Sequence, residues 1–196
     1  KGKGERFPVR MQNADYFKEN RTATIVITER NFKASDVVHL ITNIDGAVPA
    51  LSGWTTAVNS GDPNKTTHTA TVRYTADGDY TFDINYRDNA KNAAAPVAQD
   101  TFTIDKTKPV INVSYNNNAA ANGNYYKARR TATISITEHN FETSRIKVTG
   151  TATDNGGAAA FPAVSTWTKK GDVHTATIQY AADAKYSFDI EYRDMA

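Results

Sequence analysis

The chain has no cysteine, only two leucines and two methionines, and no apolar run long enough to cross a membrane as a helix. Without cysteine there is no disulfide framework, no thiolate metal centre and no cysteine nucleophile. Four Leu and Met side chains in 196 residues cannot cover several helix faces, which excludes an all-α fold and disfavours a doubly wound α/β enzyme. Charge of one sign is missing too: 23 basic residues against 21 acidic leave a formal net charge of +2. The one short basic stretch, Lys1–Arg10, reads as a solvated tail rather than a nucleic-acid arm. Nothing reads as a signal peptide, and the chain is expected to be an internal piece of something longer.

What is present points one way. The sequence holds 26 Thr, 13 Val and 12 Ile. β-branched side chains lose freedom in a helix and pack well on a pleated surface, so strands are expected throughout. The 17 Asn, 11 Gly and 6 Pro supply turn formers between them.

The strongest signal is an internal repeat. Tyr16–Phe32 (YFKENRTATIVITERNF) returns as Tyr125–Phe141 (YYKARRTATISITEHNF), with 12 of 17 positions identical. His68–Ala90 returns as His174–Ala196 with 15 of 23 identities, and VPALSGW at Val48–Trp54 returns as FPAVSTW at Phe161–Trp167. The changing offsets place extra residues around Thr151–Ala160 in the second copy and around Val58–Lys65 in the first. Both stretches have the small and polar composition of surface loops.

Apolar and polar residues alternate with period two along the repeated segments. Ala23, Ile25 and Ile27 form one inward set; His68, Ala70, Val72 and Tyr74 form another; Tyr80, Phe82, Ile84 and Tyr86 a third. Such alternation means antiparallel sheet with one wet face. Strands are expected near Pro8–Gln12, Arg21–Thr28, Val37–Asn43, Leu51–Ala57, His68–Tyr74, Asp79–Arg87 and Asp100–Ile104. A tight hairpin is expected at Asp45-Gly46, and the second copy's leading strand near Pro109–Tyr115. About seven strands in roughly 100 residues suffice for a sandwich core without staples.

The run Asp77-Gly78-Asp79-Tyr80-Thr81-Phe82 resembles a strand entry of immunoglobulin-like domains. Together ITERNF, DGDYTFDINYRDNAKN and FTIDKTKPVI are similar to the tandem bacterial immunoglobulin-like domains of large Gram-positive cell-surface proteins. The resemblance implies two tandem antiparallel β-sandwich domains, at residues 8–108 and 109–196, after a tail or linker at 1–7. It also implies that Tyr80 and Tyr186 turn their hydroxyls onto the backbone as tyrosine corners. Phe82 and Phe188 then stand where related folds place a disulfide cysteine. Copy one continues past Ala90 into the strand at Asp100–Ile104, whereas copy two has reached only the equivalent position at Ala196. The second sandwich is therefore expected to lack its last strand and to show an open groove or a borrowed strand there.

No catalytic constellation stands out, and the chain is expected not to be an enzyme. His68 and His174 recur at strand rims, where a loop is the expected hydrogen-bond partner. Glu29, Asp88 and Asp105 are weak calcium candidates, since oxygen-rich junctions suit that ion, although Lys106 and Lys108 flank Asp105. No other cofactor is expected. Trp54 and Trp167 share the frame Pro-Ala-x-Ser-x-Trp and read first as packing, with an exposed anchor as the functional alternative. Segments that differ between the copies are better recognition candidates. They supply Lys33, Asp36, His39, Asn59, Asp62, Asn64, Arg145 and Lys147, with Trp54 beside them, as candidate partner-binding residues.

The resemblance implies an extracellular location on a bacterial surface, where a cysteine-free exported protein is ordinary. The expected function is non-catalytic recognition of a host macromolecule through a sheet edge, a sheet face or the diverged loops, in the manner of an adhesin. Expected partners are a host extracellular protein or glycoprotein, immunoglobulin among them, and neighbouring repeats of the same protein; no nucleic acid and no membrane span are expected. The alternatives are a structural stalk and a carbohydrate-binding accessory module of a surface enzyme.

Overall fold

The computed structural model describes residues 15–44 and 46–196. The expected tail at 1–7, the expected strand at Pro8–Gln12 and Asp45 lie outside the described residues. The protein is all-β, and the only helices among the described residues are single turns of 3-10 helix at Ala34–Asp36, Pro63–Lys65 and Thr143–Arg145. It divides after Thr107 into two compact units.

The first unit contains β1 (Tyr16–Phe17), β2 (Arg21–Thr28), β3 (Val37–Asn43), β4 (Thr55–Ala57), β5 (Thr67–Tyr74), β6 (Gly78–Tyr86) and β7 (Asp100–Ile104). One sheet runs β1-β7-β6-β3 and the other β2-β5-β4. All pairings are antiparallel except β1 with β7, a short parallel pair that the period-two pattern could not reveal. The two sheets bury a shared core: Ile25, Ile27, Val72 and Tyr74 from one meet Tyr80, Phe82, Ile84, Tyr86, Phe102 and Ile104 from the other. Tyr74 stands edge-on to Phe102 at 4.9 Å and to Tyr80 at 5.0 Å, geometries that aromatic quadrupoles favour.

The second unit contains β8 (Val110–Tyr115), β9 (Arg130–Thr137), β10 (Ile146–Asp154), β11 (Gly157–Ala159), β12 (Thr168–Lys170), β13 (Val173–Tyr180) and β14 (Lys185–Tyr192). Its sheets run β12-β13-β9-β8 and β11-β10-β14. Ala132, Ile134, Ile136 and Ile178 are fully buried between them. Among the described residues β14 pairs with β10 alone, whereas β6 of the first unit pairs with both β3 and β7.

Two local expectations are corrected. The tight hairpin expected at Asp45-Gly46 would join neighbouring strands of one sheet, but the flanking strands β3 and β4 belong to different sheets, β3 pairing with β6 and β4 with β5. Before β4 the chain meets β5 through the Leu51–Val72 bridge and the hydrogen bonds between Ser52 and Thr71, and the strand expected at Leu51–Ala57 shrinks to Thr55–Ala57. The tight hairpin sits in the second copy's insertion instead. Asp154 pairs with Gly157 across Asn155 and Gly156, both at positive φ (46° and 79°), the geometry of a two-residue hairpin that Asn-Gly favours.

The repeats also compensate for each other in volume. A Cβ on Gly150 of β10 would lie 2.4 Å from the Phe161 ring. At the matching positions the first copy has Ile41 and Val48, so a large residue has moved from the strand to the loop that covers it. Close packing at interior density explains the exchange.

Candidate functional site

The segment Glu29-Arg30-Asn31-Phe32 anchors the chain just before β3. Glu29 Oε1 accepts a hydrogen bond from the Asn31 amide at 2.9 Å, which tightens the turn. Phe32 then stacks on His68 at 4.2 Å and packs against Trp54 at 4.9 Å and Tyr86 at 5.6 Å. The second copy repeats each contact: Glu138 with the Asn140 amide, and Phe141 with His174, Trp167 and Tyr192. His68 bonds the Thr56 hydroxyl through Nδ1 and the Glu29 carbonyl through Nε2, both at 2.9 Å, so the imidazole ties a loop to the strand rim. Burial, reinforced by Lys169, holds His174 below the ordinary imidazole range against the opposing Glu138 backbone and Asp172. Trp54 is half-buried in this cluster and does not form an exposed flat anchor.

From this clamp the single turn at Ala34–Asp36 launches β3. Lys33 and His39 are exposed and Asp36 is half-buried, so these three candidates share one short surface stretch. β3 is the last strand of its sheet and has β6 on one side only. Its outward register carries two apolar residues that the sequence reading passed over: Val38 is 66% exposed and Leu40 49%. Ile44 and Val48 beyond the strand are exposed as well. The signal was available, because the second copy has Lys147 and Thr149 where the first has Val38 and Leu40.

The other candidates are placed differently. Asn59 Oδ1 accepts from the amides of Gly61 and Asp62, and Asp62 Oδ1 caps the turn at Asn64 while its second oxygen pairs with Lys65 at 3.3 Å. These side chains hold their own loop, leaving the exposed Asn64 side chain as its outward feature. That loop joins β4 to β5 and so belongs to the opposite sheet from β3. In the second unit Arg145 is half-buried and donates Nη1 to the Asp194 carbonyl at 2.8 Å. Lys147 is exposed on β10.

The calcium candidates each serve a turn. Glu29 holds the Asn31 amide, and Asp105 Oδ1 accepts from the Thr107 amide at 3.2 Å. Asp88 accepts from both the amide and the side-chain Nδ2 of Asn92, at 2.8 Å each, and these bonds hold its carboxyl below the usual range. This explains the frame Tyr86-x-Asp88-x-Ala90-x-Asn92 as a turn that reverses the chain after β6. Lys91 at its corner takes φ 68°.

Both tyrosine corners form: Tyr80 donates to the Ala76 carbonyl and Tyr186 to the Ala182 carbonyl, at 2.9 Å in each case. Beside Tyr80 lies an open depression of about 510 Å³, lined by Val48, Pro49, Ser52, Thr71 and Arg73 among others, with no acid or imidazole in its wall. No helix among the described residues is long and apolar enough to cross a membrane.

No protein-family model matches the chain, and no curated protein matches it.

Proposed function

We propose that the chain is a non-catalytic binding module of a bacterial surface protein, which recognises a host extracellular protein through the β3 edge of the first unit. The observation that carries this reading is the pair Val38 and Leu40, exposed on an unpaired edge strand. Edge strands present unpaired backbone donors and acceptors, and proteins ordinarily blunt them with charge, lysine above all. The second unit follows that rule with Lys147; the first departs from it at the same position. An added partner strand would take its affinity from main-chain hydrogen bonds and its selectivity from Val38, Leu40 and the flanking Lys33, Asp36 and His39. The half-buried tryptophans do not offer the exposed aromatic platform that a sugar-binding reading requires.

The test is capture of purified immunoglobulin and of serum and mucus proteins by the full chain. The double variant Val38→Lys with Leu40→Thr, which writes the second copy's edge into the first, is expected to abolish capture and leave the unfolding midpoint unchanged. The reciprocal variant Lys147→Val is expected to leave capture intact. Capture that survives the double variant would overturn the edge assignment, and no capture at micromolar concentration would favour a stalk.

A further inference from the structure

The way the first unit takes up and releases the chain carries a further inference. Its first and last strands among the described residues, β1 and β7, lie side by side and parallel, with Tyr16 beside Thr103 and Phe17 beside Ile104. The Thr103 amide donates to the Asp15 carbonyl at 2.8 Å, and the Asp105 amide to the Phe17 carbonyl at 2.9 Å. The chain enters this pair at the start of β1 and leaves it at the end of β7. Tension along the chain therefore pulls the two strands in opposite directions along their own axes, against the hydrogen bonds that bridge them. Both bonds are loaded together, whereas a force applied across the strands breaks them one after the other.

Sliding is opposed at three further points. Phe17 is 3% exposed and Ile104 is fully buried, so a shift of either strand drags an apolar side chain out of the core. Arg21, on the opposite sheet, holds both strands at once. Its guanidinium lies 4.6 Å from the Phe17 ring centroid and 4.1 Å from that of Phe102, and it pairs with Asp100 at 2.9 Å. Behind β7 the exit segment is latched. Lys106 donates its amide to Asp77 Oδ1 at 3.2 Å, and its Nζ to Asn20 Oδ1 at 3.2 Å and to the Thr75 carbonyl. Thr107 Oγ1 donates to the second Asp77 oxygen at 2.6 Å. Asn20 precedes β2, and Thr75 and Asp77 lie between β5 and β6, so Lys106 ties the exit to two separate turns.

We propose that β1, β7 and the Lys106 latch form a load-bearing clamp, and that the first unit carries tension along the chain without unfolding. Exposed polar bonds add little to equilibrium stability, because water competes for each of them. Under tension the same bonds must fail together with the β1–β7 pair before the chain can lengthen. They therefore act on the unfolding rate, which is the quantity that governs forced unfolding. The clamp does not involve the β3 edge, so either reading can fail without the other.

The chain has no cysteine, so a pair of introduced cysteines gives defined handles for single-molecule pulling of the full chain. Lys1→Cys with Lys108→Cys shears β1 against β7, whereas Glu19→Cys with Lys108→Cys peels the same strands apart from one end. At equal pulling speed the shear pair is expected to unfold the first unit at about twice the force of the peel pair or more. In the shear pair, Lys106→Met is expected to lower that force measurably. The same substitution is expected to leave the equilibrium denaturation midpoint of the first unit, read by Trp54 in a Trp167→Phe background, unchanged. Equal forces in the two geometries would overturn the clamp. A Lys106→Met variant with unchanged shear force would remove the latch from it.

Discussion

In the first unit Tyr80, Phe82, Ile84 and Tyr86 are each at most 8% exposed, whereas their counterparts Tyr186, Phe188, Ile190 and Tyr192 are all half-buried. The residue types are the same, so the difference arises from the neighbours. One strand accounts for it. β7 covers the flank of β6, supplies Phe102 and Ile104 to the core, and gives β1 something to pair with. In the second unit no strand among the described residues lies on that side of β14, Tyr125-Tyr126 form no strand, and Arg130 rests on tyrosine rings. The opposite sheets differ little: Val72 and Ile178 are both fully buried. In the first unit, then, β7 organises one face of the sandwich, while the opposite sheet of both units buries its own core positions.

The most direct way to break the comparison is Phe102→Ala, which should make the first unit's stripe behave like the second's. Large-to-small changes at a buried aromatic cost about 3–5 kcal/mol. Each unit has one tryptophan, so Trp167→Phe leaves Trp54 to report the first unit alone during chemical denaturation. The midpoint of that transition is expected to fall sharply. A loss below about 1 kcal/mol would mean that the β6 stripe does not depend on β7.

Gly150→Ile tests the volume exchange between the copies. The new side chain meets the Phe161 ring, and overpacking of this kind costs about 1–3 kcal/mol. Adding Phe161→Val recreates the Ile41 and Val48 combination and is expected to recover most of the loss. A double-mutant cycle reads the coupling; additive losses would show that the two positions do not share one space.

How far the residues alone disclosed this depends on whether a feature repeats. Strands β2, β3 and β7 fall at their expected bounds because alternation and β-branched content act locally and agree. The parallel β1 was illegible, since two residues carry no period and their partner lies far along the chain. That β3 and β4 lie in different sheets is not legible at Asp45-Gly46, because turn chemistry says nothing about which sheet the next strand joins. Among the candidate residues, Glu29 and Asp88 accept hydrogen bonds within their own turns, Trp54 is half-buried, and Asn59 and Asp62 hold their own loop. Val38 and Leu40 were overlooked because apolar residues in a strand read as core; only their replacement by Lys147 and Thr149 marks them as outward.

The tyrosine corners give a smaller and graded test. Tyr80→Phe and Tyr186→Phe remove the same 2.9 Å hydrogen bond to a backbone carbonyl, a change worth about 1 kcal/mol where the acceptor becomes shielded from water. Tyr80 is 3% exposed, whereas Tyr186 is half-buried with its bond at the surface. The first substitution is expected to cost more than the second, each read from the tryptophan of its own unit. Equal losses would mean that the second corner is as dry as the first.

The finest distinction lies in the alkaline titration of Tyr74 and Tyr180, which occupy matching positions at the ends of β5 and β13. Burial pushes Tyr180 up to about 12, with nearby Tyr115 adding to the shift and Arg130 opposing it. Burial raises Tyr74 further still, against the lowering effect of Arg21. Neither buried hydroxyl has a hydrogen-bond partner among the described residues, so water is what each would need in order to ionise. A phenol whose folded pKa exceeds its unfolded value near 10 contributes stability that is complete below about pH 10. That contribution is lost as pH rises through the folded value. Tyrosinate absorbance of Tyr74→Phe and Tyr180→Phe variants separates the two groups. Tyr180 is expected to ionise first. Ionisation of Tyr74 before Tyr180 would contradict the view that the strand along β6 is what keeps the first unit drier.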